Sequence, residues 1–213
     1  MDPRNFSPAD RIIGEIAKAI NVLAAPARSA REYPGTLMEE PPLSAAEKKA
    51  SAALMRVNHA GEIAAQALYQ GQALWARKPE IAAELRAAGA EELDHVAWCE
   101  RRIRELGGRT SALNPLWYAG SFAIGAVAAA FGDATSLGFI TETERQVEAH
   151  LHGHLRQLPD ADVRTRRIIE AMKEDETAHG AKATDLGGRP LPEFVIDAMK
   201  MTSRLMTKGS FWL

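Results

Sequence analysis

Apolar residues recur every three or four positions along most of the chain, which predicts amphipathic helices with one buried face each. Two of these apolar stripes contain charged side chains where core residues are expected. The motif Glu92-x-x-His95 lies in one stripe, and Glu176-x-x-His179 lies in another. Because residues three apart share one face of a helix, each motif directs a carboxylate and an imidazole toward one point in the core.

Two further glutamates precede these motifs at nearly equal distances. Glu62 and Glu144 each lie about thirty residues before the glutamate of the following motif. Suppose that Glu62 and Glu92 sit at one height on two antiparallel helices, and that Glu144 and Glu176 do the same. The turn of each hairpin then falls midway in sequence between its two glutamates. Pro79 and Pro159 stand close to those midpoints and interrupt the helices there. The spacing therefore predicts two helical hairpins with arms of about 15 residues, or roughly 22 Å.

Four core helices follow from this arrangement. Their predicted ranges are 44–77, 80–106, 134–158 and 161–186. The first begins at the capping-box sequence Ser44-Ala45-Ala46-Glu47, and Gly107-Gly108 ends the second. The long connection between the hairpins makes the predicted fold an all-α four-helix bundle with one long crossover.

The crossover segment, residues 113–132, carries no formal charge and is rich in aromatic residues, alanine and glycine. It approaches the length of a membrane span but is only weakly hydrophobic. We interpret it either as a buried crossover or as the wall of an apolar substrate cavity that also touches the bilayer.

Additional amphipathic helices are expected at both ends of the chain. Residues 1–25 begin with the start signal Ser7-Pro8-Ala9-Asp10, and their apolar stripe consists of Ile12, Ile13, Ile16, Ile20 and Leu23. Residues 192–208 form a basic helix that carries Val195, Met199 and Met206 and is followed by Phe211-Trp212-Leu213. Each helix is interpreted either as packing on the outside of the bundle or as a membrane contact, and the first also as a lid.

Residues 26–43 contain four prolines and are predicted to be an extended linker. This composition divides the chain into an N-terminal amphipathic segment with its linker, residues 1–43, and a helical bundle, residues 44–213.

Composition restricts the function classes. Of the 213 residues, 46% are apolar and 25% charged, as in soluble globular proteins. Cys99 is the single cysteine, which excludes an internal disulfide and a cysteine-based zinc site and fits a reducing compartment. If the four buried glutamates are set aside, 24 of the 28 acidic residues remain, compared with 26 basic residues. The surface is then slightly basic, which favours an anionic membrane over nucleic acid as a partner. No signal or transit peptide is found.

Six side chains in the stripes are the candidate metal ligands: Glu62, Glu92, His95, Glu144, Glu176 and His179. Four carboxylates buried in one layer require countercharge, because burying an unpaired charge costs several kcal/mol or more. Two divalent cations would supply it, and two neutral imidazoles would complete the ligand set. Oxygen-rich ligation with one histidine per metal favours iron or manganese over structural zinc, and it is the ligand pattern of ferritin-like di-iron carboxylate proteins.

The expected distribution gives each metal one glutamate and one histidine of its own, with two glutamates bridging. One metal takes Glu62 and His95, the other takes Glu144 and His179, and the bridging residues are Glu92 and Glu176. Asp175 and Glu91 immediately precede the bridging glutamates, so each is expected to orient the histidine of the opposite hairpin.

Several other polar residues are weaker candidates. Tyr69 lies two turns after Glu62 and is expected either to border the metals or substrate or to be a hydrogen-bonded core tyrosine. His59, one turn before Glu62, is a candidate for lining the site. Three histidines alternate by two positions, so at most two of them can face the core, and we interpret them as solvated or ordinary core residues: His150, His152 and His154.

Local sequences around the predicted ligands resemble those of the demethoxyubiquinone hydroxylases of ubiquinone biosynthesis. Met55-Arg56-Val57-Asn58-His59-Ala60-Gly61-Glu62 and Ala67-Leu68-Tyr69-Gln70-Gly71-Gln72 resemble the first ligand helix of that family. Asn114-Pro115-Leu116-Trp117-Tyr118-Ala119-Gly120-Ser121 and Thr143-Glu144-Arg145-Gln146-Val147-Glu148-Ala149-His150-Leu151 resemble its bacterial branch. The resemblance covers about residues 44–208, and every ligand position of the family is present.

This resemblance implies a membrane-associated di-iron monooxygenase with a ferritin-like fold. It would hydroxylate the ring of a demethoxyubiquinol, with O2 activated at two irons and with the six ligands acting through the metals. NADH or the quinol itself is the implied reductant, although no Gly-x-Gly-x-x-Gly follows a strand here. The implied partners are a quinol lipid, the cytoplasmic surface of the bacterial cell membrane and other proteins of ubiquinone biosynthesis, without nucleic acid.

Three alternatives stay open on sequence grounds. A ferritin- or rubrerythrin-like protein would store iron or remove peroxide, but a single cysteine argues against a rubredoxin-type centre. A metal-free bundle would act as a binding module. A di-iron hydroxylase could also act on another substrate such as a tRNA nucleoside, which the missing basic groove disfavours.

Overall fold

The computed structural model describes residues 8–36 and 38–213, and in these ranges its regular secondary structure is entirely helical. The helices are α1 (Pro8–Ala24), α2 (Ala45–Trp75), α3 (Pro79–Glu105), α4 (Asn114–Ala130), α5 (Asp133–Leu155), α6 (Val163–Asp185) and α7 (Glu193–Trp212). The predicted start at Ser7 and the side chain of Ile12 lie outside the described residues. The all-α fold class and the four core helices are confirmed.

The first core helix begins as the capping box predicts. The Ser44 hydroxyl accepts a hydrogen bond from the backbone N–H of Glu47, and the Glu47 carboxylate accepts one from the backbone N–H of Ser44 at 2.8 Å. These contacts satisfy N–H groups that the helix itself leaves unpaired. Helix α2 then runs for 31 residues and is buried along most of its length, so it forms the centre of the bundle.

Both predicted hairpins are present. Pro79 occupies the first turn of α3 after a short connection from α2. In the second hairpin, the Asp162 carboxylate accepts a hydrogen bond from the backbone N–H of Thr165 at 3.0 Å and so caps α6. Helices α2 and α3 therefore pack as one antiparallel pair, and α5 and α6 as the other.

The crossover is a helix, α4, that lies directly against α2. A Cβ atom at Gly71 would stand 2.2 Å from the backbone oxygen of Phe122, and one at Gly125 would stand 2.3 Å from that of Leu68. Only glycine permits this approach of the two backbones. The other side of α4 exposes apolar residues such as Leu116 and Val127, so the crossover is only half buried. Within the described residues, no helix is both long and apolar enough to cross a membrane.

Both terminal helices pack on the bundle, as one of the interpretations of each helix predicts. Val22 and Leu23 of α1 pack against the cluster around Ile63, whereas the predicted stripe residues Ile13, Ile16 and Ile20 face outward. Helix α7 continues to Trp212, so the predicted end near residue 208 is wrong. The Arg56 guanidinium donates to the backbone oxygens of Ser210 and Phe211 at 2.8 and 2.5 Å and stabilises the extra turn.

Residues 26–43 are here called the strap, and its described residues, 26–36 and 38–43, contain no helix. They were predicted to be an extended linker, but they are bonded to the bundle at several points. The Arg102 guanidinium donates to Glu40 at 2.5 Å, and the Arg164 guanidinium donates to the backbone oxygen of Met38 at 3.0 Å. Tyr33 and Leu43 belong to the same apolar cluster as residues of α3 and α6. The strap and the bundle therefore share one core. The division of the chain at residue 43 into two domains stays a prediction.

Candidate metal centre

Four helices contribute the six candidate ligands to one layer of the bundle. Helix α2 provides Glu62, α3 provides Glu92 and His95, α5 provides Glu144, and α6 provides Glu176 and His179. All six are buried, and Glu92 and His95 are fully enclosed. Apolar clusters lie on both sides of this layer, one around Trp98 and Met172 and the other around Leu85 and Ile140. The antiparallel hairpins bring the glutamates to one height, as their spacing predicts.

The six side chains form two overlapping groups, within each of which one ligand atom per residue lies within 4.8 Å of the others. The first group is Glu62, Glu92, His95 and Glu176, and the second is Glu92, Glu144, Glu176 and His179. Glu92 and Glu176 belong to both groups, which is the position that bridging carboxylates require. Each group offers three carboxylates and one imidazole, so the geometry provides two adjacent positions for cations.

Nδ1 of each histidine faces the interior of the layer. His95 Nδ1 lies 3.1 Å from Glu92 Oε2 and 3.2 Å from Glu176 Oε1. His179 Nδ1 lies 3.2 Å from Glu92 Oε1 and 3.4 Å from Glu176 Oε2. Both imidazoles therefore present a nitrogen to the pair of shared carboxylates from opposite sides.

The donor set fits divalent cations because several of its polar atoms have no hydrogen-bond partner. Atoms without one are Glu92 Oε1, Glu144 Oε2, both carboxylate oxygens of Glu176, and His179 Nδ1. Burial raises the pKa of Glu62 and of Glu144 well above the ordinary value, and neighbouring carboxylates raise it further. Buried polar groups are normally paired. Two cations in this layer would neutralise the carboxylates and use these atoms as ligands.

The predicted contacts between hairpins that would orient the histidines are present. His95 Nε2 lies 2.9 Å from Asp175 Oδ2, and His179 Nε2 lies 2.9 Å from Glu91 Oε2. An Nε2–H that donates to a carboxylate leaves Nδ1 free to act as a ligand. Although burial opposes it, the hydrogen bonds from His95 and Arg31 hold the pKa of Asp175 below its ordinary value.

Tyr69 borders the layer, as one of its two interpretations predicts. Its hydroxyl donates a hydrogen bond of 2.7 Å to Glu144 Oε1, and its ring stands edge-on to His179 with centroids 6.2 Å apart. Burial and the charge of Glu144 raise the pKa of Tyr69 well above the ordinary value. The phenol therefore stays protonated and acts as a donor to a candidate ligand.

The remaining histidines have partners outside the layer. Asn114 donates from its side-chain amide to His59 Nδ1 at 3.3 Å, and burial lowers the pKa of His59 to about 4. His154 donates from Nδ1 to Asn58 Oδ1 at 2.7 Å, and its ring meets that of His150 edge to face with centroids 4.0 Å apart. His152 is exposed. Two of the three alternating histidines thus face inward, which is within the predicted limit.

A cavity of about 320 Å³ opens beside the layer and reaches Glu62. It lies among α2, α4, α5 and α7, and most of its lining is apolar. The crossover contributes only Ser121 and Ile124 to the wall. Helix α7 contributes more, including Val195, Met199, Thr202 and Met206. The spacing of valine and methionine residues along α7 indicates from the sequence alone that one face of this helix is buried. It does not indicate that this face lines the cavity.

Comparison with known proteins finds related sequences over almost the whole chain. The model of a protein family described as ubiquinone biosynthesis protein COQ7 matches residues 49–210. A 3-demethoxyubiquinol 3-hydroxylase of Bordetella petrii is 54% identical over 211 residues, which cover 99% of this chain and 94% of the relative. The 3-demethoxyubiquinol 3-hydroxylase of Nitrosomonas europaea is 53% identical over 204 residues, 96% of this chain and 98% of the relative. The 3-demethoxyubiquinol 3-hydroxylase of Azoarcus sp. is 53% identical over 202 residues, which cover 95% of this chain and 98% of the relative.

Proposed function

The chain belongs to the COQ7 family of ubiquinone biosynthesis proteins, and from this premise we propose that it is a di-iron monooxygenase that hydroxylates the ring of a demethoxyubiquinol. The observation that carries the proposal is the buried layer of four carboxylates and two imidazoles beside an apolar cavity that reaches Glu62. A lipid substrate with a polar ring fits a cavity of that character.

Two irons are the proposed cofactors of this layer. The proposed ligands are Glu62, Glu92, His95, Glu144, Glu176 and His179, with Glu92 and Glu176 between the metals. When bound and reduced, the irons would supply the binding and activation of O2. The overall reaction replaces a ring C–H with C–OH and converts the second oxygen atom to water, and it uses two electrons and two protons. NADH or the quinol is the proposed source of the electrons.

The protein supplies orientation, water exclusion and substrate position. Asp175 and Glu91 hold the two imidazoles with Nδ1 facing inward. The apolar clusters on both sides of the layer keep bulk water away from the carboxylates. In the cavity, Asn58, Gln146 and His150 offer polar contacts for the ring oxygens, and the apolar walls accommodate the isoprenoid chain.

We further propose that the protein acts at the cytoplasmic surface of the bacterial cell membrane as a peripheral protein. Helices α1, α4 and α7 all pack on α2, and each exposes apolar side chains. They include Ile13, Ile16 and Ile20 of α1, Leu116 and Val127 of α4 with Phe131 directly after it, and Phe194, Met201, Leu205 and Trp212 of α7. Large apolar residues exposed in groups mark interaction surfaces, and a lipid substrate requires access from the bilayer. Other proteins of ubiquinone biosynthesis are further proposed partners.

The alternative functions fit the site less well. An iron store requires a polar path for hydrated ions, whereas the cavity beside Glu62 has mostly apolar walls. A rubrerythrin-like protein that removes peroxide requires a rubredoxin-type centre, which a single cysteine does not provide. A metal-free binding module leaves the unpaired carboxylate oxygens of the layer without a physical reason.

Metal analysis and an activity assay test the proposal together. Protein purified under iron-sufficient conditions should contain about two irons per chain, and the variants Glu92→Ala and Glu62→Ala should lose iron and activity while circular dichroism still shows helix. The iron-loaded protein should convert a demethoxyubiquinol to its hydroxylated product with O2 and NADH. Protein without metal that is equally stable would refute the centre. A di-iron protein that leaves the quinol unchanged would retain the centre and refute the substrate.

A further inference from the structure

We propose that Arg31, in the strap, is a positioning residue of the metal centre that acts on His95 through Asp175. The proposal rests on the function proposed above, because it takes His95 as a metal ligand. It assigns to a segment outside the helices a role in the centre itself.

Arg31 and Asp175 form a two-point ion pair. Arg31 Nη1 lies 2.6 Å from Asp175 Oδ2, and Nη2 lies 3.4 Å from Oδ1. The same Oδ2 atom accepts the hydrogen bond from His95 Nε2 at 2.9 Å. A guanidinium that contacts both oxygens of a carboxylate fixes its plane as well as its position. The orientation of the His95 ring therefore depends on Arg31 through one shared oxygen atom.

The strap is itself fixed at the adjoining residue of α3. Asp94, which immediately precedes His95, accepts hydrogen bonds from the backbone N–H of Ala30 at 2.6 Å and from the Ser29 hydroxyl at 2.8 Å. The Ser29 oxygen accepts a hydrogen bond from Trp98 Nε1 at 3.1 Å, and the Arg31 guanidinium lies over the Trp98 ring, 4.8 Å from its centroid. Arg31 is thus held between α3 and α6 by its backbone, its stacking and its charge.

The other half of the centre has no equivalent of this arginine. Glu91, which holds His179, has 52% of its side chain exposed, compared with 22% for Asp175. Within the described chain, no arginine or lysine forms an ion pair with Glu91. The two candidate ligand histidines are therefore oriented unequally, and the loss of Arg31 should weaken the metal position of His95 more than that of His179.

This asymmetry separates a positioning role from a merely structural one. An arginine that only attached the strap would affect the stability of the whole chain rather than one metal position. That effect would be small, because a partly exposed ion pair contributes little to stability. A positioning residue would change the affinity of one metal position, since partners that orient metal-bound histidines typically affect metal affinity about 10–100-fold.

A cobalt titration tests the proposal on the full chain. Metal-stripped protein is titrated with Co²⁺ against a competing chelator, and the visible absorbance of bound Co²⁺ reports each equivalent. Wild type should bind two equivalents. Arg31→Met, which keeps an apolar stem over Trp98, should bind one of them about 10–100-fold more weakly, and Arg31→Lys should restore part of the loss. Arg31→Gln replaces Arg31→Met if circular dichroism shows that the latter does not fold.

Two control variants separate the effect of the Arg31–Asp175 contact from other effects on metal binding. Arg101 stacks on the strap residue Tyr33 at 4.0 Å and has no contact with Asp175, so Arg101→Met should bind Co²⁺ as wild type does. In an Asp175→Asn background, Arg31→Met should weaken binding no further, because its path to His95 is already altered. Equal weakening of both equivalents, no weakening, or full additivity with Asp175→Asn would overturn the proposal. Wild type that binds two equivalents but does not hydroxylate would count against the proposed function alone.

Discussion

The hydroxyl of Tyr69 donates a 2.7 Å hydrogen bond to Glu144 Oε1, which joins α2 of the first hairpin to α5 of the second inside the carboxylate layer. Tyr69→Phe removes this bond and keeps the ring. Because the bond restrains a proposed iron ligand, we expect activity to fall about 10–100-fold while the iron content changes little. The measurement is a steady-state hydroxylation assay combined with iron analysis.

Tyr118→Phe is the matched control for this variant. Tyr118 is also buried and donates to a side chain of α2, Gln70, but outside the layer. Both variants lose a buried hydrogen bond, which costs about 1 kcal/mol of unfolding free energy. Equal activity in the two variants would show that Tyr69 has only a structural role.

Glu62→Gln should separate metal binding from stability. Burial raises the pKa of Glu62, because a buried carboxylate charge destabilises the metal-free protein. A neutral amide of the same shape removes this cost in unfolding free energy. In chelator-treated protein, the variant should unfold at the same or a higher temperature than wild type, whereas its iron content after loading should fall. Glu148→Gln, at a half-buried position of α5 outside the layer, should leave the iron content unchanged and should alter the unfolding temperature little, because it loses only a partly exposed ion pair with Lys173. A less stable metal-free Glu62→Gln would contradict the argument.

Gly61→Leu should obstruct the cavity next to Glu62. An added Cβ at Gly61 meets no atom within 4 Å, and the residue lines the cavity. The side chain would take space from the substrate, and overpacking that costs about 1–3 kcal/mol corresponds to a rise in KM of roughly 5- to 150-fold. Iron content should be unchanged.

Gly153→Leu provides the comparison. Gly153, in the last turn of α5, is likewise half-buried with open space at its Cβ, but it does not line the cavity. Both leucines improve helix propensity by somewhat less than about 1 kcal/mol. The KM should rise only in Gly61→Leu. A similar rise in both variants would place the substrate elsewhere.

Gly125→Ala should destabilise the contact between α4 and α2. The added methyl group would stand 2.3 Å from the backbone oxygen of Leu68, which cannot move without shifting a helix. We expect a loss of about 1–3 kcal/mol or more in unfolding free energy, measured by chemical denaturation. Gly120→Ala in the same helix meets no atom within 4 Å and should stabilise the protein by about 0.5–1 kcal/mol.

Asp162 should give the protein a specific sensitivity to acid. Although burial opposes it, the hydroxyls of Ser51 and Thr165 and the charge of Arg102, 2.7 Å away, hold the pKa of Asp162 below its ordinary value. A carboxyl whose folded pKa is lowered contributes stability above its unfolded pKa of about 3.9, and this contribution disappears as the pH falls toward the folded value.

Asp162→Asn tests that sign directly. At pH 7 the variant should be less stable than wild type by about 1.5–3 kcal/mol, and the difference should shrink as the pH is lowered below about 4. The comparison cancels the titration of the metal centre, which both proteins share. Asp160→Asn, an exposed position two residues earlier, should show no such difference at any pH. If the difference in unfolding free energy between the two proteins increased as the pH fell, the pKa of Asp162 would be raised rather than lowered by folding.

Much of the centre follows from the sequence, because helical periodicity alone determines which side chains share a face. The positions of Glu92 and His95 within an apolar stripe predict burial, and the interval from Glu62 to Glu92 predicts a hairpin of fixed length. These local rules also place Asp175 next to a bridging position, which is why its contact with His95 was predictable. The turn at Pro79 required no tertiary information.

Contacts between segments distant in the chain could be seen only in the tertiary structure. The proline-rich strap has no periodicity, so nothing local indicates that Arg31 reaches Asp175 across 144 residues. The last turn of α7 depends on Arg56, which lies on another helix, and the outward direction of Ile13, Ile16 and Ile20 depends on where α1 meets α2 and α4. Periodicity encodes the face that a residue occupies, whereas the partner of that face is decided by how all segments pack together.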